Sequence, residues 1–135
     1  MESIQLAEAG LEGTIDSSLG QLTTLVELDL SSNDFTGSIP SQLIALPKLK
    51  VLDLRLNKLS GSIPLPASTL LEALHLGHNA LTGNPLKSSL SSAGFKSLKI
   101  LDLKYNKLEG TLPPSFSGLS SIQTLDLSNN RFRGT

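Results

Sequence analysis

A motif of 24 residues recurs along this 135-residue chain and limits its possible folds more than any other feature. The segments LVELDLSSNDFTGSIPSQLIALPK (25–48) and LKILDLKYNKLEGTLPPSFSGLSS (98–121) align without a gap. Both carry apolar residues, mostly leucine, at positions 1, 4, 6, 11, 15, 19 and 22, Asn at position 9 and Gly at position 13. A period of this length predicts a solenoid in which each repeat stacks on its neighbours.

The register of the motif divides the chain into repeats 1–24, 25–48, 49–70, 71–97, 98–121 and 122–135, of which the last is incomplete. No linker or second domain is left over, so we predict a single repeat domain over 1–135. The ends of a solenoid expose apolar core and a strand edge unless something covers them. Because terminal caps are absent from the sequence, we expect missing caps or other chains to cover the terminal repeats.

Composition excludes several classes of partner and site. The formal net charge is −1 and there is no Lys/Arg block, so the net charge predicts no nucleic-acid partner. No apolar run is long enough for a membrane span or a signal peptide. Without cysteine the chain has no disulfide framework and no thiolate metal site. We predict no cofactor and no metal.

Each repeat contains a short stretch with the alternating pattern of a strand that is buried on one face. In ELDLSS (27–32), Leu28 and Leu30 are predicted to point inward, and Glu27, Asp29 and Ser31 outward. Return segments of similar length require parallel strands, and the proline and glycine in these returns oppose regular helix. The predicted fold class is an α/β-type repeat solenoid, mostly β, with a parallel concave sheet and 3₁₀ or irregular returns.

An asparagine follows each strand from the second repeat onward, where the backbone turns inward. An amide both donates and accepts hydrogen bonds, so it suits buried backbone groups that would otherwise be unpaired. We interpret this ladder as structural, in preference to a ligand-contacting role. Its members are Asn33, Asn57, Asn79, Asn106 and Asn130.

The second half of the motif identifies a family. FTGSIPSQLIAL (35–46), LSGSIP (59–64) and LEGTLPPSFSGL (108–119) follow the pattern LxGxIPxxLxxL. With these segments, the chain resembles the plant-type leucine-rich repeat family over its whole length. The resemblance implies a right-handed superhelix with a second short sheet built from the LxGxIP segments. It also implies function by binding, as in the ectodomains of receptor-like kinases and receptor-like proteins or in secreted inhibitors of polygalacturonases.

The outward positions of the concave sheet are where recognition can be encoded. Position 5 is mostly acidic, and we favour a solvated repeat feature over a site for a cation or a basic peptide. In the middle repeats, positions 7 and 8 replace small polar residues with cations, an aliphatic, an imidazole and the only tyrosine, a mixture suited to a protein interface. The predicted partner-binding residues are Asp53, Arg55, Leu56, His75, His78, Asp102, Lys104 and Tyr105.

Catalytic chemistry is not predicted. A Ser-His-Asp arrangement would lie in an open column with no cleft to exclude water. His75 and His78 diverge along their strand and lack a third metal ligand. We therefore predict that the chain is not an enzyme.

Two functions remain open after this reading. The first is a recognition module from a cell-surface receptor or co-receptor ectodomain, extracellular by resemblance, that binds a peptide or protein, a co-receptor among the candidates. The second is a non-catalytic scaffold, either an inhibitor similar to those of polygalacturonases or a subunit of an intracellular complex.

Overall fold

Two parallel sheets alternate along the chain in the computed structural model, which describes residues 2–64, 69–86, 93–113, 116 and 118–134. The odd-numbered strands form a six-stranded main sheet in chain order. Its strands are β1 (Glu2–Gln5), β3 (Leu25–Asp29), β5 (Val51–Asp53), β7 (Ala73–His75), β9 (Ile100–Asp102) and β11 (Thr124–Asp126).

The even-numbered strands lie on the second side of the solenoid, as a four-stranded sheet followed by a two-stranded one. They are β2 (Glu12–Thr14), β4 (Asp34–Gly37), β6 (Lys58–Ser62), β8 (Ala80–Thr82), β10 (Glu109–Thr111) and β12 (Arg131–Arg133). Every pair of neighbouring strands is parallel. The predicted parallel solenoid, and the second sheet implied by the family resemblance, are confirmed.

The register of the main sheet places equivalent positions of successive turns side by side. Leu52 pairs with Leu28 on one neighbour and with Leu74 on the other, and Leu74 pairs in turn with Leu101. The inward leucines therefore form continuous columns, and Leu52 and Leu54 have no exposed surface. Burying one leucine contributes about 1.5–3 kcal/mol, so these columns are the main source of stability.

The described return segments contain short helical turns, as predicted, with one difference in type. Two are 3₁₀ turns, Ser17–Gln21 and Ala93–Phe95, whereas α1 (Ser41–Ile44) is a single α-helical turn. Asp16 caps the first 3₁₀ turn, because its Oδ1 accepts the Ser18 N–H at 2.8 Å, and this bond lowers the pKa of Asp16. The turns pack so closely that a Cβ on Gly20 would lie 2.6 Å from the Gln42 Cβ.

The asparagine side chains connect one turn of the solenoid to the next. The Asn57 Oδ1 accepts the Phe35 N–H at 3.0 Å, and its Nδ2 donates to the carbonyls of Leu30 at 3.0 Å and Leu54 at 3.2 Å. Asn33, Asn79, Asn106 and Asn130 make equivalent bonds on their own turns. Each amide therefore satisfies backbone groups of its own turn and of the turn before it.

Replacing a central asparagine tests this connection. Asn57 is 9% exposed, so Asn57→Ala leaves the Phe35 N–H without its acceptor and removes the amide donor from the carbonyls of Leu30, Leu54 and Arg55. Since an unsatisfied buried polar group costs about 1–3 kcal/mol, we expect the free energy of unfolding to fall by about 2–4 kcal/mol in urea denaturation. Gln123→Ala, which removes an exposed amide, is the control and should change it by less than about 0.5 kcal/mol. Equal effects of the two variants would contradict a structural role for the ladder.

Candidate functional site

The outer face of the main sheet brings together the predicted partner-binding residues. They lie on or directly after β5, β7 and β9, and His75 sits in register between Asp53 and Asp102. We call this region the central patch. It consists of Asp53, Arg55, Leu56, His75, His78, Asp102, Lys104 and Tyr105.

The acidic residues at position 5 are engaged in the turn that ends each strand. Asp29, Asp53, Asp102 and Asp126 each accept, through Oδ1, the N–H of the residue two positions later, at 2.9–3.1 Å. Asp53 and Asp102 are only 7% exposed. Ser31 is also buried, and its hydroxyl donates to the Asp29 Oδ1 at 2.6 Å. The expectation of a solvated acidic row therefore does not hold for Asp53 and Asp102, and the expectation that Ser31 faces solvent is wrong. Their carboxylates stabilise the chain reversal.

The fourth turn breaks this row. His75 replaces the aspartate, and its buried Nδ1 has no hydrogen-bond partner among the described residues. Gly77 follows, where a Cβ would lie 3.0 Å from the Asp102 Oδ1 and 3.2 Å from the Lys104 Cγ. The absence of a side chain at Gly77 thus lets Asp102 and Lys104 lean onto the preceding turn.

The two cations of the central patch are held by acids of their own strands. The Arg55 Nε donates to the Asp53 carboxylate at 3.0 Å, and this hydrogen bond raises the pKa of Arg55 above its usual value. The Lys104 Nζ is 3.9 Å from the Asp102 Oδ2. These contacts fix the direction of both side chains while leaving part of each in solvent.

A row of left-handed backbone conformations lies where the strands end. We call these residues the bend row, and their φ angles are between 53° and 56°: Glu8, Ser32, Leu56, His78, Tyr105 and Asn129. For a residue other than Gly, Asn or Asp, this conformation costs about 1–2 kcal/mol. The serine and asparagine of the outer turns are common turn residues, whereas leucine and tyrosine are not.

The three central residues of the bend row form an apolar and aromatic stripe, in which Leu56 and Tyr105 are exposed and His78 is half-buried. Leu56 is 50% exposed and Tyr105 49%. The His78 ring stacks on that of Tyr105, with centroids 4.4 Å apart and an interplanar angle of 17°. The stripe thus places two large exposed side chains, Leu56 and Tyr105, at a strained backbone position.

The bend row was not foreseen from the sequence, although a signal for it was present. The ordinary repeats have Ser32 and Asn129 at this position, residue types that are common in turns. Leu56, His78 and Tyr105 depart from the repeat in sequence, but the conformational cost of these departures is visible only in the folded backbone.

The outer face of the main sheet is open along the central patch. No three His, Cys, Asp or Glu side chains within them are close enough to hold a metal ion. No helix in the same ranges is long and apolar enough to cross a membrane. The arrangement presents an open face with apolar, aromatic and charged side chains, which suits contact with another polypeptide.

Comparisons with known proteins agree with this architecture. Leucine-rich repeat family models match residues 24–46, 48–70 and 69–132. A chain of the BIR3–SERK2 complex from Arabidopsis thaliana is 40% identical, with a TM-score of 0.78, and the match covers 98% of this chain and 69% of that one. No curated protein matches the sequence significantly.

Two longer receptors are also similar. The TDR receptor is 32% identical with a TM-score of 0.87, and the match covers 98% of this chain and 23% of that one. The plant peptide hormone receptor RGFR1, in complex with RGF2, is 35% identical with a TM-score of 0.81, at 90% and 19% coverage. This chain thus spans about two thirds of the first relative and less than a quarter of these two receptors.

The strain in the bend row can be measured at Leu56. Glycine usually destabilises regular structure relative to alanine by about 0.5–1 kcal/mol, but at a positive φ the order reverses. We therefore expect Leu56→Gly to be more stable than Leu56→Ala by about 1 kcal/mol in urea denaturation. The same pair of substitutions at Val26, the second residue of β3, should show the usual order, with alanine more stable than glycine. Alanine more stable than glycine at both sites would contradict strain at Leu56.

Proposed function

Because this chain belongs to the plant-type leucine-rich repeat family, we propose that it is a recognition module that binds a peptide or protein partner through the central patch. The proposal rests on one observation above all. Leu56 and Tyr105 expose half of their surface at backbone positions that disfavour them. A partner that covers the stripe would explain why two residues on the same face carry this conformational cost.

The composition of the central patch supports protein recognition. Tyrosine and arginine are enriched among the residues that dominate binding energy at interfaces. The stacking of His78 on Tyr105, and the hydrogen bond that Arg55 donates to Asp53, order these side chains before a partner binds. Such pre-organisation reduces the entropy lost on binding.

The relatives support a role at the cell surface. One similar structure is a complex between BIR3 and SERK2, and another is a peptide hormone receptor in complex with RGF2. By analogy, we assign this chain to the ectodomain of a receptor or co-receptor, with an extracellular location and no catalytic activity of its own. Its partner would be a peptide, a second ectodomain or both.

Substitutions borrowed from the outer turns test the proposal without disturbing the fold. Peptides selected from a random display library against the purified chain serve as probes, and calorimetry measures their affinity. Leu56→Ser and Tyr105→Asn install residue types found at the same position in Ser32 and Asn129. Since truncating a central interface residue typically costs about 2 kcal/mol or more, we expect each variant to weaken binding at least about tenfold.

Leu70 provides the matched control, because it is 51% exposed and lies outside the central patch. Leu70→Ser should leave affinity within about twofold of the original chain. If selected peptides bound Leu56→Ser and Tyr105→Asn as well as the original chain, the central patch would not be the recognition surface.

A further inference from the structure

The charge of this chain is strongly divided along the solenoid, although the net charge is close to zero. Residues 1–48 contain seven acidic side chains and one basic side chain, a formal charge of −6. Residues 49–135 contain five acidic and ten basic side chains, a formal charge of +5. The net charge of −1 conceals this division, because the charges of the two parts nearly cancel.

The division is also present on the outer face of the main sheet and the adjoining bend. The relevant repeat positions are 5, 7, 8 and 10. In the first two repeats, the charged residues at these positions are all acidic: Glu8, Asp29 and Asp34. The later turns contribute five cations and three acids at the same positions. The cations are Arg55, Lys58, Lys104, Lys107 and Arg131, and the acids are Asp53, Asp102 and Asp126.

These cations border the exposed stripe on both sides. Arg55 and Lys104 directly precede Leu56 and Tyr105 in the chain, and Lys58 and Lys107 follow two residues after them. Lys107 is exposed and makes no salt bridge within the described part of the chain. Leu56 and Tyr105 are therefore each flanked in the chain by a cation on both sides.

The neighbouring acids offset this charge only in part. Asp53 and Asp102 are buried against the bend and paired with Arg55 and Lys104, and Lys58 pairs with Asp34 at 3.0 Å. Asp126 is held by Ser128, whose hydroxyl donates at 2.6 Å. On β12, Arg131 is in register with Glu109. Next to Tyr105 in the chain, Lys107 is the cation whose charge no salt bridge offsets within the described residues.

We propose that the partner presents an acidic segment containing an apolar or aromatic residue, which packs on Leu56, His78 and Tyr105. Acidic side chains of the segment lie beside Lys104 and Lys107. The acidic first two turns repel the same charges, so the segment binds over the later turns. This inference rests on the proposed recognition function and specifies the chemistry of its partner.

A polypeptide fits this surface better than a polyanion such as a nucleic acid or an acidic polysaccharide. A uniform polyanion leaves the apolar stripe uncovered and, if extended along the solenoid, meets the acids of the first two turns. An acidic peptide with one apolar anchor uses both features. Charge complementarity of this kind sets specificity and association rate.

The display selection described above tests the inference through the composition of the selected peptides. We expect enrichment of Asp and Glu around a Leu, Phe, Tyr or Trp, and affinity that falls at least fivefold between 0.05 and 0.5 M salt, because exposed charges are screened. Lys107→Glu should weaken these peptides at least about tenfold, and Lys104→Gln should weaken them less. Lys96→Glu makes the same charge change at an exposed residue away from the patch and should alter affinity less than about twofold.

The outcomes separate this inference from the proposed function. Peptides that bind the central patch but are neutral or basic would overturn the acidic partner and leave the recognition function standing. Competition by poly-glutamate as effective as that by the selected peptides would also overturn it, in favour of a general polyanion site. A selection that yields no binder to the central patch would count against both.

Discussion

The hydrogen bonds of the asparagine ladder are the constraint on which this structure depends. A solenoid turn must reverse direction inside the protein, and each reversal leaves buried backbone groups that no strand can pair. One amide, as at Asn57, accepts an N–H of the preceding turn and donates to carbonyls of both turns. The leucine columns supply more free energy, but the amides determine where each turn can bend. The strand ends, and hence the exposed face, follow from that position.

The aspartate row and the bend row are consequences of the same reversal. Where the chain bends after a strand, an aspartate accepts the backbone N–H two residues later, as Asp53 does from Arg55. The next residue, here Leu56, then adopts the left-handed conformation. Two of the outer turns meet these conditions with Ser32 and Asn129, whereas the first turn has Glu8 at the same position. The central turns meet them with leucine, histidine and tyrosine, at a conformational cost of about 1–2 kcal/mol for each unsuited residue. The surface proposed for recognition therefore carries Leu56 and Tyr105, two large residues that are unsuited to this backbone conformation.

Most of the fold could be predicted because it is periodic. Leucine spacing indicates which residues are buried, and the recurrence of Asn33 or Asn57 after each strand indicates where polar groups must be satisfied internally. The burial of Asp53 and Asp102 could not be read in this way, because an alternating strand pattern assigns them to solvent. Their burial depends on the folded bend. The division of charge between residues 1–48 and 49–135 is not visible in the net charge, because the two parts nearly cancel.

A regular repeat also explains why binding information is concentrated in few residues. Positions that face the core or close the bend are fixed by packing and hydrogen bonding, so variation there destabilises every neighbouring turn. Only the outward positions are free to differ, and even the bend row admits large side chains only at a cost. In a marginally stable chain, such costs limit how many turns can carry large recognition side chains. This limit favours a compact central patch over contacts spread along the whole sheet.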